Sequence, residues 1–348
     1  VTTATTATRA PQPTRPRGSR SRTAALALGL LAAVGLLVLM AALGVAVGSK
    51  PVPLGDVWHG LVSPDDSYNS AVIASRIPRT QLGLLVGAAL AVAGAVIQGL
   101  TRNPLGDPGL LGVNAGASMS VVLVTAFVGV GVGRTVWAAI PGAVLAAVVV
   151  YVVGTGRAGS TPVRLILAGA AVSAVLVAVV QAVSLAKPDV FDSYRFWAIG
   201  SLAGRTAETV GQVAWFVVVG LLLCFAMARA LNAVELGDQA ATSLGLAPGR
   251  TKVLAAIGAT MLCAAAVAAA GPIGFVGLAV PHIVRAFTGA DHRWLLPYCA
   301  VLGPVLLIGS DVLGRVIARP GELMVGAITA FVGAPFLIAA VRRGRVGL

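Results

Sequence analysis

From residue 24 onward the chain alternates long apolar stretches with short clusters of charge. Charge-free or nearly charge-free runs occupy 24–48, 80–100, 109–133, 135–156, 165–186, 210–228, 253–284, 294–310 and 323–341. Most of them approach the roughly 20 residues needed to cross about 30 Å of hydrocarbon. The run 253–284 is too long for one span, since a single helix of that length would reach about 48 Å. It also contains Gly271-Pro272-Ile273-Gly274, and proline removes a helical N–H donor and clashes with the preceding turn. The run therefore divides into one span at 253–270 and a short one from about 275 to 285. The pattern predicts an all-α polytopic membrane protein of about ten transmembrane helices.

Composition removes the alternatives. Hydrophobic residues make up 57% of the 348 positions and charged residues only 11%, against roughly 25% charged in soluble domains. A soluble enzyme is excluded, and so is a disordered chain. Aromatic residues are only 5%, and the apolar mass is Ala, Val, Leu and Gly, which suits close helix–helix packing in a bilayer. Residues 1–23 are Thr-, Pro- and Arg-rich and read as a disordered basic cytoplasmic tail. Residues 24–345 form a single transmembrane domain. The first run exceeds the ~7–15 residues of a signal-peptide core and is read as a retained span.

The formal net charge of +13 reports membrane topology rather than nucleic-acid binding, because the basic residues sit at the ends of the apolar runs. With the N-terminus inside, the inner segments carry 16 basic and four acidic residues, and the outer segments nine and eight. This positive-inside bias predicts that both termini are cytoplasmic, in a bacterial inner membrane. The outer segment 187–208 groups Phe191, Tyr194, Phe196 and Trp197 among charges, as expected of an interfacial helix. The outer segment 49–79 reads as a Pro/Asp-rich loop ending in Ser75-Arg76-Ile77-Pro78-Arg79. The longest inner segment, 229–252, is compact and weakly charged, and reads as a docking knob for a cytoplasmic partner.

The chemistry is sparse. A P-loop needs a Gly-Lys pair, and none of Lys50, Lys187 and Lys252 follows a glycine. Acidic residues inside the hydrocarbon mark ion-coupled carriers, yet no run has one at its middle; Gln98 and Gln181 are the main deeper polar side chains. Both features favour transport powered by a separate ATPase. His282, Asp291 and His292 lack the i, i+3 or i+4 histidine spacing of a helical metal site and read as helix-end residues. Cys224, Cys263 and Cys299 form no CxxC pair. Two Gly/Pro-interrupted segments, Asn103–Gly112 and Gly271–Gly277, each follow the first full span of a half-chain. Such matching interruptions point to an internal repeat around a translocation path.

At these segments the chain resembles a known family. RIPRT (76–80), GAALAVAGAVIQGLTRNPLGDPGLLGVNAGAS (87–118), GPIGFVGLAVPHIVR (271–285), GADHRWLLP (289–297) and VGAPFLI (332–338) are similar to motifs of the FecCD permeases. These are membrane subunits of ATP-driven importers for iron–siderophore complexes, haem and cobalamin. The stretches KPDVFDSYRFWAIGSL, ARALNAVELGDQAATSLG and GRVIARPGEL resemble the ferric-enterobactin branch. The resemblance implies a ten-helix subunit with two pseudo-repeat halves, paired with a second, homologous permease subunit. It also implies two ATP-binding subunits below, which would carry ATP and Mg, and an extracytoplasmic siderophore-binding protein above. No catalytic residue, cofactor or metal is implied in this chain. Arg76, Arg79 and Arg315 match arginines that dock the binding protein. Gly237, Asp238, Leu244 and Gly245 match the core of the ATPase-coupling loop, 233–249. Asn103 and Leu105 match the cytoplasmic gate, together with Pro162 and Val163 at the entry to the fifth span, where the cobalamin-type permease has small hydroxyl residues. Cobalamin or haem import is the alternative within the family. A secondary carrier or a membrane scaffold is the alternative outside it.

Overall fold

The computed structural model describes residues 18–129, 135–156, 159–160 and 162–342. Fourteen helices account for almost all of them. Among the described residues seven helices are long and apolar enough to cross a membrane. They are α1 (Gly18–Ala46), α3 (Tyr68–Thr101), α5 (Thr135–Gly154), α6 (Pro162–Ala186), α8 (Ala207–Ala226), α11 (Pro248–Ala270) and α13 (His292–Ile317). Three shorter apolar helices join them: α4 (Val113–Val128), α12 (Val276–Thr288) and α14 (Val325–Arg342). The sum matches the ten spans expected from the apolar runs. The remaining helices, α2 (Leu54–Val62), α7 (Pro188–Ile199), α9 (Ala228–Glu235) and α10 (Asp238–Ser243), are too short to span. A two-residue antiparallel ladder, Thr155–Gly156 with Gly159–Ser160, links α5 to α6.

The centre of the bundle is α3, which packs mainly against α13 and α11. Its inner faces are small: Ala89, Ala91, Ala93 and Ala95 are fully buried. Two close approaches require glycine. A Cβ on Gly87 would stand 2.5 Å from the Pro304 Cα of α13, and one on Gly94 would lie against the carbonyl of Gly277 in α12. Without a strong hydrophobic force between helices in lipid, this backbone proximity supplies the packing. By contrast α1 lies on the rim: most of its residues are exposed or half-buried, and Ala33 packs into the core.

The spans alternate in direction. At the proximal end, where α1 begins, Arg22 donates to Thr288 O at the close of α12 (3.1 Å), and the end of α3 meets the start of α11 through Arg102, Asp238 and Lys252. At the distal end the close of α1 meets the start of α3 and the close of α13. The two Gly/Pro segments thus follow antiparallel helices yet meet inside the bundle, where a Cβ on Gly277 would stand 3.5 Å from Pro108 Cδ. Each precedes a helix that opens after a left-handed residue, Gly112 (φ 75°) before α4 and Phe275 (φ 68°) before α12. α12 opens beside Gly94, seven residues or about 10 Å before α3 ends, so its N-terminus lies within the bundle.

Two expectations change. The segment 75–79 is helix rather than loop, because α3 starts at Tyr68, where the Ser67 hydroxyl accepts from Ser70 N (3.2 Å), and runs for 34 residues. Its arginines are tolerated in the bundle because each finds partners there. Likewise residues 18–23, grouped by composition with the tail, form the first turns of α1; residues 1–17 of that tail lie outside the described residues. The segment 187–208 does hold a short helix, α7. It buries Val190 and Trp197 and leaves Phe191 and Phe196 about half exposed.

Candidate functional site

The proximal loop is built from α9 and α10, set at an angle by glycine. Gly237 takes φ 121°, a conformation closed to L side chains, and opens α10; Gly245 takes φ 77° and ends the turn after it. Asp238, the first residue of α10, is held from two sides. Arg102, left-handed at the close of α3, donates from Nη2 to Asp238 Oδ1 (2.9 Å) and to Val234 O (2.7 Å). Lys252 of α11 donates to Asp238 Oδ2 (2.7 Å). The Lys252 hydrogen bond holds the Asp238 carboxyl below the ordinary carboxylate range. Leu246 packs on Ala233, Val234 and Ala241 and closes a small core of the loop's own. Leu236 and Leu244 stay outside it, 75% and 66% exposed. The four residues expected to form the coupling core therefore lie on one compact knob, tied to α3 and α11, with two bare leucines.

Beside this knob a cleft of about 540 Å³ opens between α3, α9, α12 and the turn before α13. Gln98 forms its floor, almost fully buried; it donates to Gly277 O (3.1 Å) and accepts from Arg285 Nη1 (3.2 Å). Arg285 lies 3.9 Å from Glu235, whose carboxyl burial pushes above its ordinary range. Asn232 donates to Asp291 Oδ1 (2.7 Å) and accepts from His292 N (2.8 Å), while Asp291 also accepts from Arg293 N (3.0 Å) and caps α13. Asp291 thus has the helix-end role read for it in the sequence. Nothing in the sequence joined Arg102, Asn232, Glu235 and Arg285, because their pairings span tens to hundreds of residues.

The expected gate residues come together only in part. Asn103 lines the cleft, and its side chain accepts from Leu105 N (2.9 Å) in a tight turn. Leu105 and Val163 do not line it. Val163 stands at the head of α6, 66% exposed; the Pro162 side chain lies outside the described residues. The reason is topological: α6 packs against α4, α5 and the 3-10 turn Pro108–Leu111, away from α9 and α12.

At the distal end the three expected docking arginines turn inward. Arg76 donates to the carbonyls of Val45, Ala46 and Lys50 at 3.2, 2.9 and 2.6 Å. Arg79 forks onto Asp311 (Nη2–Oδ1 2.8 Å) and reaches Glu322 Oε2 with Nη1 (2.6 Å). Arg315 donates to Gly44 O (2.9 Å) and lies 2.9 Å from Asp311 Oδ2. Arg319 donates to Gly48 O (2.8 Å). The last carbonyls of α1, which no intrahelical N–H reaches, are thus capped by arginines from α3 and α13. Arg76 is 6% and Arg315 1% exposed. In this chain the Arg76 and Arg315 guanidiniums are spent on carbonyls and a carboxylate of their own chain. Arg79, paired with Glu322 near the surface, is the least enclosed of the three.

The family model of the FecCD transport family matches residues 36–343. The chain belongs to that family. It is 44% identical over 330 residues to the ferric enterobactin transport system permease protein FepD of Escherichia coli, covering 94% of this chain and 98% of the relative. The iron(3+)-hydroxamate import system permease protein FhuB of Bacillus subtilis is 38% identical over 94% of this chain and 86% of its own. Other FecCD relatives are named for Fe(3+)-citrate, cobalamin and hemin. Among solved structures, an inward-facing chain described as a metal-chelate type ABC transporter superposes with TM-score 0.80 at 27% identity, over 90% of this chain and 98% of that one. The FecCD fold is therefore an ABC importer permease of the metal-chelate and siderophore class.

Proposed function

We propose that this FecCD permease imports a ferric siderophore of the catecholate, enterobactin-like kind. The observation that carries the substrate is the 44% identity to a ferric enterobactin permease across nearly the whole of both chains. It forms the membrane path with a second, homologous permease subunit. ATP is hydrolysed on two separate subunits, which grip the α9–α10 knob through Leu236, Leu244 and the surface around Gly245. Asp238, tied to Arg102, passes the motion to the close of α3, where Asn103 and its turn border the proximal cleft. A binding protein delivers substrate at the distal end. There Arg76 and Arg315 hold the surface in shape by fastening α1 to α3 and α13, and Arg79 lies beneath it.

In this reading the proximal end is cytoplasmic, as the charge partition requires. Single cysteines at Ser21 and Ser193, both on exposed positions, should label from opposite faces of intact cells; labelling of both from outside would reverse the proposal. The energy source is tested in vesicles carrying the complete transporter. Uptake of the iron-loaded siderophore should require internal ATP and survive a protonophore while ATP is maintained. Collapse with the protonophore alone would make the chain a gradient-driven carrier.

A further inference from the structure

Between α3, α5, α6 and α11 the proximal half of the bundle leaves a narrow apolar slot of about 340 Å³. Ile97, Val144, Leu165, Ile257 and Met261 line it, and Lys252 is its charged group. Lys252 and Met261 are nine residues apart on α11, about 14 Å along the helix axis. That is close to half of a ~30 Å hydrocarbon core, so the slot runs from one membrane boundary nearly to the midplane.

The mouth is basic. Lys252 keeps 29% of its side chain exposed. Arg250 precedes it by two residues and Arg164 directly precedes the slot-lining Leu165, and both are exposed. The acid paired with Lys252, Asp238, is shared with Arg102.

We propose that the slot holds one acyl chain of an anionic phospholipid, with its phosphate on Lys252. Hydrocarbon chains are already the solvent here, so the apolar walls give shape and little preference; the headgroup charge at a basic pocket between helices gives the selectivity. Val144, Val148 and Ile257 of the lining are 40%, 53% and 46% exposed, so the slot opens on the outer face of the bundle, where an acyl chain can enter from the side. A phosphate on Lys252 competes with Asp238 and leaves that carboxylate to Arg102. Bound lipid therefore loosens one of the two ties on α10. The slot's assignment stands independently of the coupling role given to that loop.

The test is photolabelling of the reconstituted transporter in vesicles with phosphatidylglycerol or phosphatidylcholine carrying a tail diazirine. Adducts should map to the peptides bearing Val144 and Ile257 and should favour phosphatidylglycerol. Lys252→Gln should cut that preference roughly fivefold, as expected for loss of one basic contact near a charged membrane surface. Ala256→Phe, at a slot-lining position, should abolish slot adducts with both lipids. Equal labelling by the two lipids that neither substitution changes would overturn the proposal. So would a photoreactive residue at Ile257 that crosslinks to another protein subunit in place of lipid.

Discussion

Asp238→Lys should uncouple the transporter. The substitution places a third cation between Arg102 and Lys252, which now sit 2.9 and 2.7 Å from the two carboxylate oxygens. It removes both ties of α10 at once and adds repulsion in their place. Exposed ion pairs of this kind contribute only about 0.2–1 kcal/mol each to stability, so the protein should still insert and fold. What is lost is the mechanical link between the knob and the end of α3. Coupling free energies between sites of about 1–3 kcal/mol correspond to roughly 5–150-fold effects. A fall of that size is expected in substrate-stimulated ATP hydrolysis of the assembled complex, with subunit stoichiometry unchanged. Gly245→Trp should act differently. It strains a residue at φ 77° and fills open space on the knob's surface, so it should weaken ATPase assembly itself. Full stimulation in both variants would remove the coupling role from the loop.

The largest stability effect is expected at Asp311. This carboxylate is 2% exposed and faces both Arg79 and Arg315, within 2.8 and 2.9 Å. Breaking a buried pair from one side leaves an uncompensated charge and costs about 3–5 kcal/mol, a large share of the 5–15 kcal/mol typical of a folded domain. Asp311→Ala leaves Arg79 with Glu322 alone and Arg315 with no carboxylate, and should lower the thermal inactivation temperature of the purified protein sharply. Replacing all three residues with apolar ones of similar volume should recover much of the loss, since hydrophobic replacement of a buried ionic cluster is often near neutral. An Asp311→Ala protein as heat-stable as the parent would contradict the network's structural role.

How much of this was legible in the sequence differs from one feature to the next. The ten apolar helices follow from run lengths because bilayer thickness fixes how many residues a span needs. The break at Gly271–Gly274 was legible because proline and glycine act locally. The start of α3 was not. Charge at 76 and 79 reads as a loop unless one knows that the carbonyls of Val45 and Ala46 and the carboxylate of Asp311 wait beside them, and those partners lie 30 to more than 200 positions away. The same blindness explains the docking arginines. Their motifs are local, whereas their burial depends on where α1 ends. On the proximal side, the knob's turns were visible as Gly237, Gly245 and the Pro248-Gly249 pair, but not the Arg102 and Lys252 clamp on Asp238, which joins three separate helices.

ATP-driven import of a ferric catecholate siderophore should show itself as selectivity in a defined system. Proteoliposomes carrying this chain, its second permease subunit and the ATPase, supplied with the binding protein outside and ATP inside, would be offered radiolabelled ferric enterobactin, ferric hydroxamate, haem and cobalamin. ATP-dependent accumulation of the ferric catecholate is expected, with the other three left near the background of ATP-free vesicles. Accumulation of cobalamin or haem in its place would assign the permease to a different substrate and overturn the siderophore proposal.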